Sequence, residues 1–185
     1  MKKIITCIGI RPDIIRLSQI IKKLDKHFNN IIVDSGQHYD YNLNKIFYEQ
    51  LDVRPSDFNL DIKSGTHASQ VAKLMIEFEK VLIKEAPVFV VVLGDNNSSL
   101  GFALATSKLN IPLIHIEAGM RSKNWIMPEE KNRVVIDQLA DMNICYLPEH
   151  RENLIREGIN SRRCWVVGNP IIEVVHSVQP TFHQD

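Results

Sequence analysis

Short apolar runs rich in β-branched residues alternate with longer runs of helical period along this 185-residue chain, and that alternation constrains the fold more than any other feature. Val88-Phe89-Val90-Val91-Val92-Leu93 is the sharpest case, apolar throughout with no polar alternation. A strand with one wet face alternates. An unbroken run suits a strand covered on both faces, as in a parallel sheet between helical layers. The strand candidates are Lys3–Gly9, Asn30–Asp34, Val88–Gly94, Leu113–Glu117, Met142–Tyr146 and Cys164–Gly168, with a short one at Phe58–Ile62. Helical spacing predicts Asp13–His27, Asn42–Leu51, Ala68–Glu85, Ser98–Leu109, Glu129–Ala140, Glu149–Glu157 and Ile171–Val178. Pro87, Pro112 and Pro148 fall at junctions, where a missing amide hydrogen costs least. Repeated βαβ units with right-handed crossovers imply an α/β fold with a doubly wound, mainly parallel, Rossmann-like sheet. The length suits one domain over residues 1–178, and the patternless tail 179–185 is expected to be disordered.

Composition narrows the partners. Lys plus Arg is 22 and Asp plus Glu is 22, so the net charge is zero. That balance argues against nucleic acid or an anionic membrane as a partner, though not against a small phosphate site. The largely apolar run Ile4 to Ile10 follows Met1-Lys2-Lys3, as in a leader. Arg11, Pro12 and Asp13 end it early, and no small-residue cleavage site follows, so it reads as the first strand of a cytoplasmic protein. Cys7, Cys145 and Cys164 sit in apolar stretches without a C-x-x-C pair and read as buried free thiols. No metal-ligand spacing is apparent, so no metal site is expected.

In a doubly wound sheet, ligands bind beyond the carboxyl ends of the strands, and here those positions are unusually polar. The first strand runs into Gly9-Ile10-Arg11-Pro12-Asp13. Arg11 stands at a helix N-terminus, where amides and the dipole favour anions, and Arg16 follows about a turn later. Read alone, the segment is a helix-start turn with a solvated arginine, and the dinucleotide fingerprint G-x-G-x-x-G is absent. Gly94-Asp95-Asn96 ends another strand, where Asp95 serves either a ligand or, like the nearby Asn and Ser residues, the next helix as a cap. Glu117 ends an apolar strand, so its carboxylate must be solvated, paired or used. On neighbouring strands, about 4.8 Å apart, Asp95 and Glu117 would share a pocket and push one carboxyl group up in pKa. His115 alternates onto the face of Glu117 and reads as a packed histidine more readily than as a base. Pro128-Glu129-Glu130 is a good helix start, and Glu129 and Arg133 share one helical face. Gln37-His38 either contacts ligand or belongs to a surface loop.

The ordered set Gly9-Ile-Arg11-Pro12, Ser35-Gly36-Gln37-His38, Gly94-Asp95-Asn96, His115-Ile-Glu117-Ala118-Gly119-Met-Arg121, Pro128-Glu129-Glu130-Lys-Asn132-Arg133 and Gly168-Asn169-Pro170 resembles the non-hydrolysing UDP-N-acetylglucosamine 2-epimerase family. Ser35-Gly-Gln-His-Tyr-Asp-Tyr is also similar to epimerases of rarer UDP-acetamido sugars in capsule and O-antigen pathways. The resemblance implies two Rossmann-like domains in a GT-B arrangement, of which this chain matches the first. A separate C-terminal half would bring most UDP contacts and a catalytic histidine. The implied reaction removes the C2 proton, expels UDP and re-adds it after protonation on the other face, with no cofactor. The resemblance assigns Asp95, Glu117 and Glu129 to acid–base and intermediate-stabilising roles. It assigns Arg11, Arg16, Gln37, His38 and Arg133 to substrate binding. It also implies a homodimer through outer helices and a place in polysaccharide biosynthesis. Asn96-Asn97 departs from the family's more usual Thr or Asn-Ser. A hydrolysing epimerase half, releasing ManNAc and UDP, and a non-catalytic sugar-nucleotide-binding or assembly module are the alternatives.

Overall fold

The first strand, β1 (Lys3–Ile8), is buried at every position after Lys3, and it lies inside the sheet. The structure is a computed structural model that describes residues 1–36, 47–63 and 65–178. After β1 come α1 (Arg11–His27), β2 (Asn29–Asp34), β3 (Phe58–Asn59), α2 (His67–Glu85), β4 (Val90–Leu93) and α3 (Asn97–Lys108). Then follow β5 (Leu113–Ile116), α4 (Pro128–Leu139), β6 (Met142–Cys145), α5 (Pro148–Arg156), β7 (Cys164–Val166) and α6 (Ile171–Val178). The strands form a 7-stranded parallel sheet in the order β3-β2-β1-β4-β5-β6-β7. The chain winds outward from β1, returns to β4 beside it, and winds out the other way. The switch point therefore lies beyond β1 and β4, where such sheets leave a crevice for ligand.

The unbroken apolar run in β4 has a simple cause. Val90 and Val92 enter the core layer made with Leu74, Phe78 and Phe102, while Val91 and Leu93 enter the opposite layer with Leu17, Ile21 and Val174. Strand period 2 divides the run between two dry faces. Phe78 and Phe102 meet edge to face, with ring centroids 4.7 Å apart. Thr66 caps α2 by accepting from the Ser69 amide at 3.2 Å. Pro128 and Pro148 open their helices, but α1 begins one residue before Pro12.

Most elements match the sequence reading to within a few residues, and three strand ends have a common cause. The strands end before Gly94, Glu117 and Gly168, all of which have positive φ, a conformation that cannot continue a strand. The third strand is only Phe58–Asn59. Residues 47–50 are helical; the rest of the expected helix from Asn42 to residue 46, together with Gln37, His38 and the tail 179–185, lies outside the described residues. All three cysteines are buried and free. Burial pushes the Cys7 and Cys164 thiols up and the Cys145 thiol up to about 12, which removes thiolate character. No described helix is long and apolar enough to cross a membrane.

Candidate active site

The turn after β1 is organised by a residue the sequence reading passed over. Asp13 is buried, and its Oδ2 accepts from the Gly9 amide at 3.1 Å and the Ile10 amide at 3.0 Å. Those amides are therefore occupied, and Pro12 supplies none. Two backbone donors of this helix start are therefore turned inward to Asp13. Arg11 is half-buried at the first helical position, with its guanidinium over the Phe47 ring.

Arg16 lies between two carboxylates. It donates to Asp13 Oδ1 at 2.8 Å and to Glu117 Oε2. Burial works against its charge, but Glu117 and Asp13 outweigh that and hold the guanidinium above its ordinary range. Burial, then the neighbouring Arg16 and the Ile10 and Gly9 amides acting oppositely, leave the Asp13 carboxyl raised. The Tyr146 hydroxyl donates to Glu117 Oε2 at 3.3 Å, and burial followed by the Glu117 charge pushes this phenol up. One connected network thus runs from the β1 turn past β5 to the end of β6. Glu117 itself has φ 74, a left-handed conformation that is strained for a glutamate.

A second network holds Asp95. Asn96, not Asp95, caps α3, accepting from the Ser99 amide at 2.9 Å. Asp95 is paired through Oδ2 with Arg133, whose other terminal nitrogen donates to Glu130 at 2.7 Å. Asn132 donates to the Asp95 carbonyl at 2.9 Å. Glu130 is buried and also accepts from the amides of Ser122 and Lys123, each at 3.0 Å, and from the Ser122 hydroxyl at 3.1 Å. Burial pushes its carboxyl up, but these donors and Arg133 prevail and hold it below the ordinary range.

Asp95 and Glu117 thus follow neighbouring strands, with Leu93 beside Ile116 in the register. Each carboxylate is matched by its own arginine rather than by the other carboxylate, as a shared pocket would have had it. Glu129, in the first turn of α4, is half-buried, and its carboxylate has no hydrogen bond or ion pair among the described residues. It sits one turn before Arg133 on the helix face that reaches Asp95. His115 is buried and packed, with Nε2 2.9 Å from the Gly94 carbonyl and Nδ1 2.7 Å from Asp137. It does not share the setting of Glu117, because positive φ at Glu117 ends the strand alternation.

Asp13, Glu130 and Tyr146 escaped the sequence reading. The i, i+3 pairs Asp13–Arg16 and Glu130–Arg133 were the available signal for the first two. A cavity of about 470 Å³ is lined by Asp25, Asp34, Tyr48 and Arg54 among others. Its arginine is already engaged by Asp25, Asp57 and the Asn30 carbonyl, so it lacks a cation suited to a diphosphate.

Gly119 holds the turn after Glu117 against α5. It has φ 79, and a Cβ there would lie 2.2 Å from the His150 carbonyl oxygen. Backbone cannot yield as a flexible side chain does. Gly119→Ala is expected to destabilise the chain by about 2 kcal/mol or more, measured by denaturant unfolding; an unchanged midpoint would contradict this close packing.

Comparison with known proteins agrees with this architecture. A sequence model of the UDP-N-acetylglucosamine 2-epimerase family matches residues 22–185. The UDP-N-acetylglucosamine 2-epimerase of Methanocaldococcus jannaschii is 46% identical over 174 residues, 92% of this chain and 47% of the relative. The UDP-2,3-diacetamido-2,3-dideoxy-D-glucuronate 2-epimerase of Pseudomonas aeruginosa is 44% identical over 167 residues, 89% of this chain and 47% of the relative. A crystal structure of the M. jannaschii UDP-GlcNAc 2-epimerase in complex with UDP-GlcNAc and UDP superposes with a TM-score of 0.94 at 43% identity, over 100% of this chain and 51% of that one. A lipopolysaccharide outer core galactosyltransferase, 13% identical with a TM-score of 0.61 over 91% of this chain and 45% of its own, shares the fold alone. The chain spans about half the length of the curated relatives it matches and has the fold of one half of a GT-B arrangement. In sequence and in fold it belongs to the UDP-N-acetylglucosamine 2-epimerase family.

Proposed function

We propose that this chain is the N-terminal half of a 2-epimerase acting on UDP-GlcNAc or a related UDP-acetamido sugar. The observation that carries the reading is the convergence of Arg16–Glu117 and Arg133–Asp95 on the carboxyl edge of β1, β4 and β5. The fold matches a relative crystallised with UDP-GlcNAc and UDP. In this reading the C2 proton passes to a carboxylate among Asp95, Glu117 and Glu129. The C1–O bond breaks with its electron pair going to UDP, and C1=C2 forms. Protonation of C2 on the opposite face and return of UDP to C1 complete the epimerisation. No electron is gained or lost, so the step needs no redox cofactor.

Arg11 and Arg16 serve the diphosphate end, and Arg133 positions Asp95. Gln37 and His38 belong to the substrate side in the same reading. Domain limits of 1–178, with a C-terminal half supplying the opposite wall of the cleft, suit the observed strand and helix inventory. Trp125 and Ile126, exposed in the loop between β5 and α4, offer apolar surface for that second wall. Ile76 and Ile83, exposed two turns apart on α2, favour pairing with a second copy through outer helices. Buried free thiols suit a cytoplasmic setting, and the reaction suits polysaccharide biosynthesis.

The test joins this chain to the C-terminal half of the M. jannaschii relative and follows interconversion of UDP-GlcNAc and UDP-ManNAc. Turnover is expected in the joined protein and little or none in the chain alone, because an open cleft leaves the charges in water. Failure of the joined protein to epimerise either this substrate or its diacetamido relatives would refute the reading. The chain alone is expected to bind UDP weakly, with affinity falling as salt rises and falling again in Arg11→Ala. Calorimetric titration checks this; tight, salt-independent binding would contradict it.

A further inference from the structure

Asp137 lies in the second half of α4, beyond the residues that contact Asp95, and is fully buried. Its carboxylate nevertheless reaches the turn that follows β5 and, through the His115 ring, the turn that follows β4. The Gly119 amide, two residues past Glu117, donates to Oδ1 and Oδ2 at 3.3 and 3.2 Å. The His115 ring bridges the other way, with Nδ1 2.7 Å from Asp137 Oδ1 and Nε2 2.9 Å from the carbonyl of Gly94, the residue before Asp95. Arg121 donates to Oδ2 at 2.8 Å and continues to Glu157. Burial opposes the Arg121 charge, but Glu157 and Asp137 outweigh it and hold that guanidinium above its ordinary range.

The direction of the hydrogen bonds follows from the partners. A carbonyl only accepts, so His115 Nε2 donates to Gly94. Asp137 is already surrounded by the donors Gly119 and Arg121, so Nδ1 donates as well. A ring with a hydrogen on each nitrogen is a rigid strut between two acceptors. Hydrophobic filling of this volume would not need such an arrangement, and leaving either acceptor unmet in a buried place would be costly.

We propose that Asp137 and His115 form a positioning pair that sets the turn carrying Asp95 against the turn carrying Glu117. Neither residue contacts the reacting atoms. Their part in catalysis rests on the epimerase reading; their bridging of the two turns does not.

The experiment has a structural arm and a kinetic arm. In the chain alone, nitrogen-edited NMR of the His115 ring is expected to show a hydrogen on each nitrogen. His115→Gln is expected to shift the amide signals of both Asp95 and Gly119. A ring with one bare nitrogen, or shifts confined to one turn, would overturn the pair. In the protein joined to the M. jannaschii C-terminal half, Asp137→Asn and His115→Gln are each expected to lower kcat about ten- to a hundredfold with KM little changed. His115→Gln, which keeps a donor toward Gly94, is expected to retain more kcat than His115→Leu at matched folded fraction. Equal losses in Gln and Leu, or a lower melting temperature with kcat intact, would reduce the pair to a fold element. No turnover in the unsubstituted joined protein would count against the epimerase reading, while the NMR arm would still decide the bridge.

Discussion

Asp95→Asn and Glu117→Gln are each expected to lower kcat by about 10²- to 10⁴-fold in the joined protein, the usual contribution of a positioned acid or base. Both changes keep shape and remove charge. Neither should unfold the chain. Arg133 keeps Glu130 at 2.7 Å when Asp95 is neutralised, and Arg16 keeps Asp13 at 2.8 Å when Glu117 is. Each arginine therefore retains a carboxylate partner, which limits the cost of losing the other. Substrate affinity should change little, because the diphosphate contacts of the proposed site come from the cations. The decisive measurement is exchange of the C2 hydrogen with deuterated solvent, which reports proton removal even when UDP does not return. Variants that exchange at the full rate would end the assignment of these carboxylates to proton transfer.

The second large effect is on stability. Glu130→Ala is expected to cost about 3 kcal/mol, the scale of breaking a buried ion pair by removing one member. The deletion leaves Arg133 with Asp95 alone and strips the amides of Ser122 and Lys123 of their acceptor. Lys123 sits at φ 59, so the loop loses the contact that holds a strained residue in place. Chemical denaturation checks the magnitude; a loss below the ordinary range for surface changes would show that Glu130 is not an anchor. The pH dependence follows from the lowered carboxyl of Glu130. Its contribution is present above the ordinary glutamate pKa and fades as pH falls through that range toward the folded value. Asp13 acts oppositely, because its carboxyl is raised by burial and protonation favours the folded chain. Glu130→Gln should therefore flatten the acid limb of the stability profile, whereas Asp13→Asn should steepen it.

The strand candidates were legible because each short apolar run must be covered on both faces. Their ends were less so. Glu117 looked like the last residue of a strand, and only its left-handed backbone shows that it has left the sheet. The cap of α3 shows the same limit. Asp95 and Asn96 both suit that position by residue type, and the choice fell to Asn96 because Arg133 claims Asp95 from a helix more than thirty residues away. The turn after β1 shows the same limit of local reading. A helix start with an arginine looks receptive to phosphate until Asp13 folds back onto the amides.

Local periodicity, turn chemistry and motif order by themselves determined the α/β class, the parallel winding and the strand edge to which the proposed site residues are assigned. These depend on neighbours within a few positions, where side-chain period and backbone preference act. Tertiary structure alone decided which charge meets which. Arg16 could have faced solvent, and Asp95 and Glu117 could have faced each other. The partners that they do meet come from α1, α4 and the turns after β5 and β6, most of them distant in sequence. Only the winding of the sheet brings these charges within hydrogen-bond range, where an unmatched buried charge is too costly to leave.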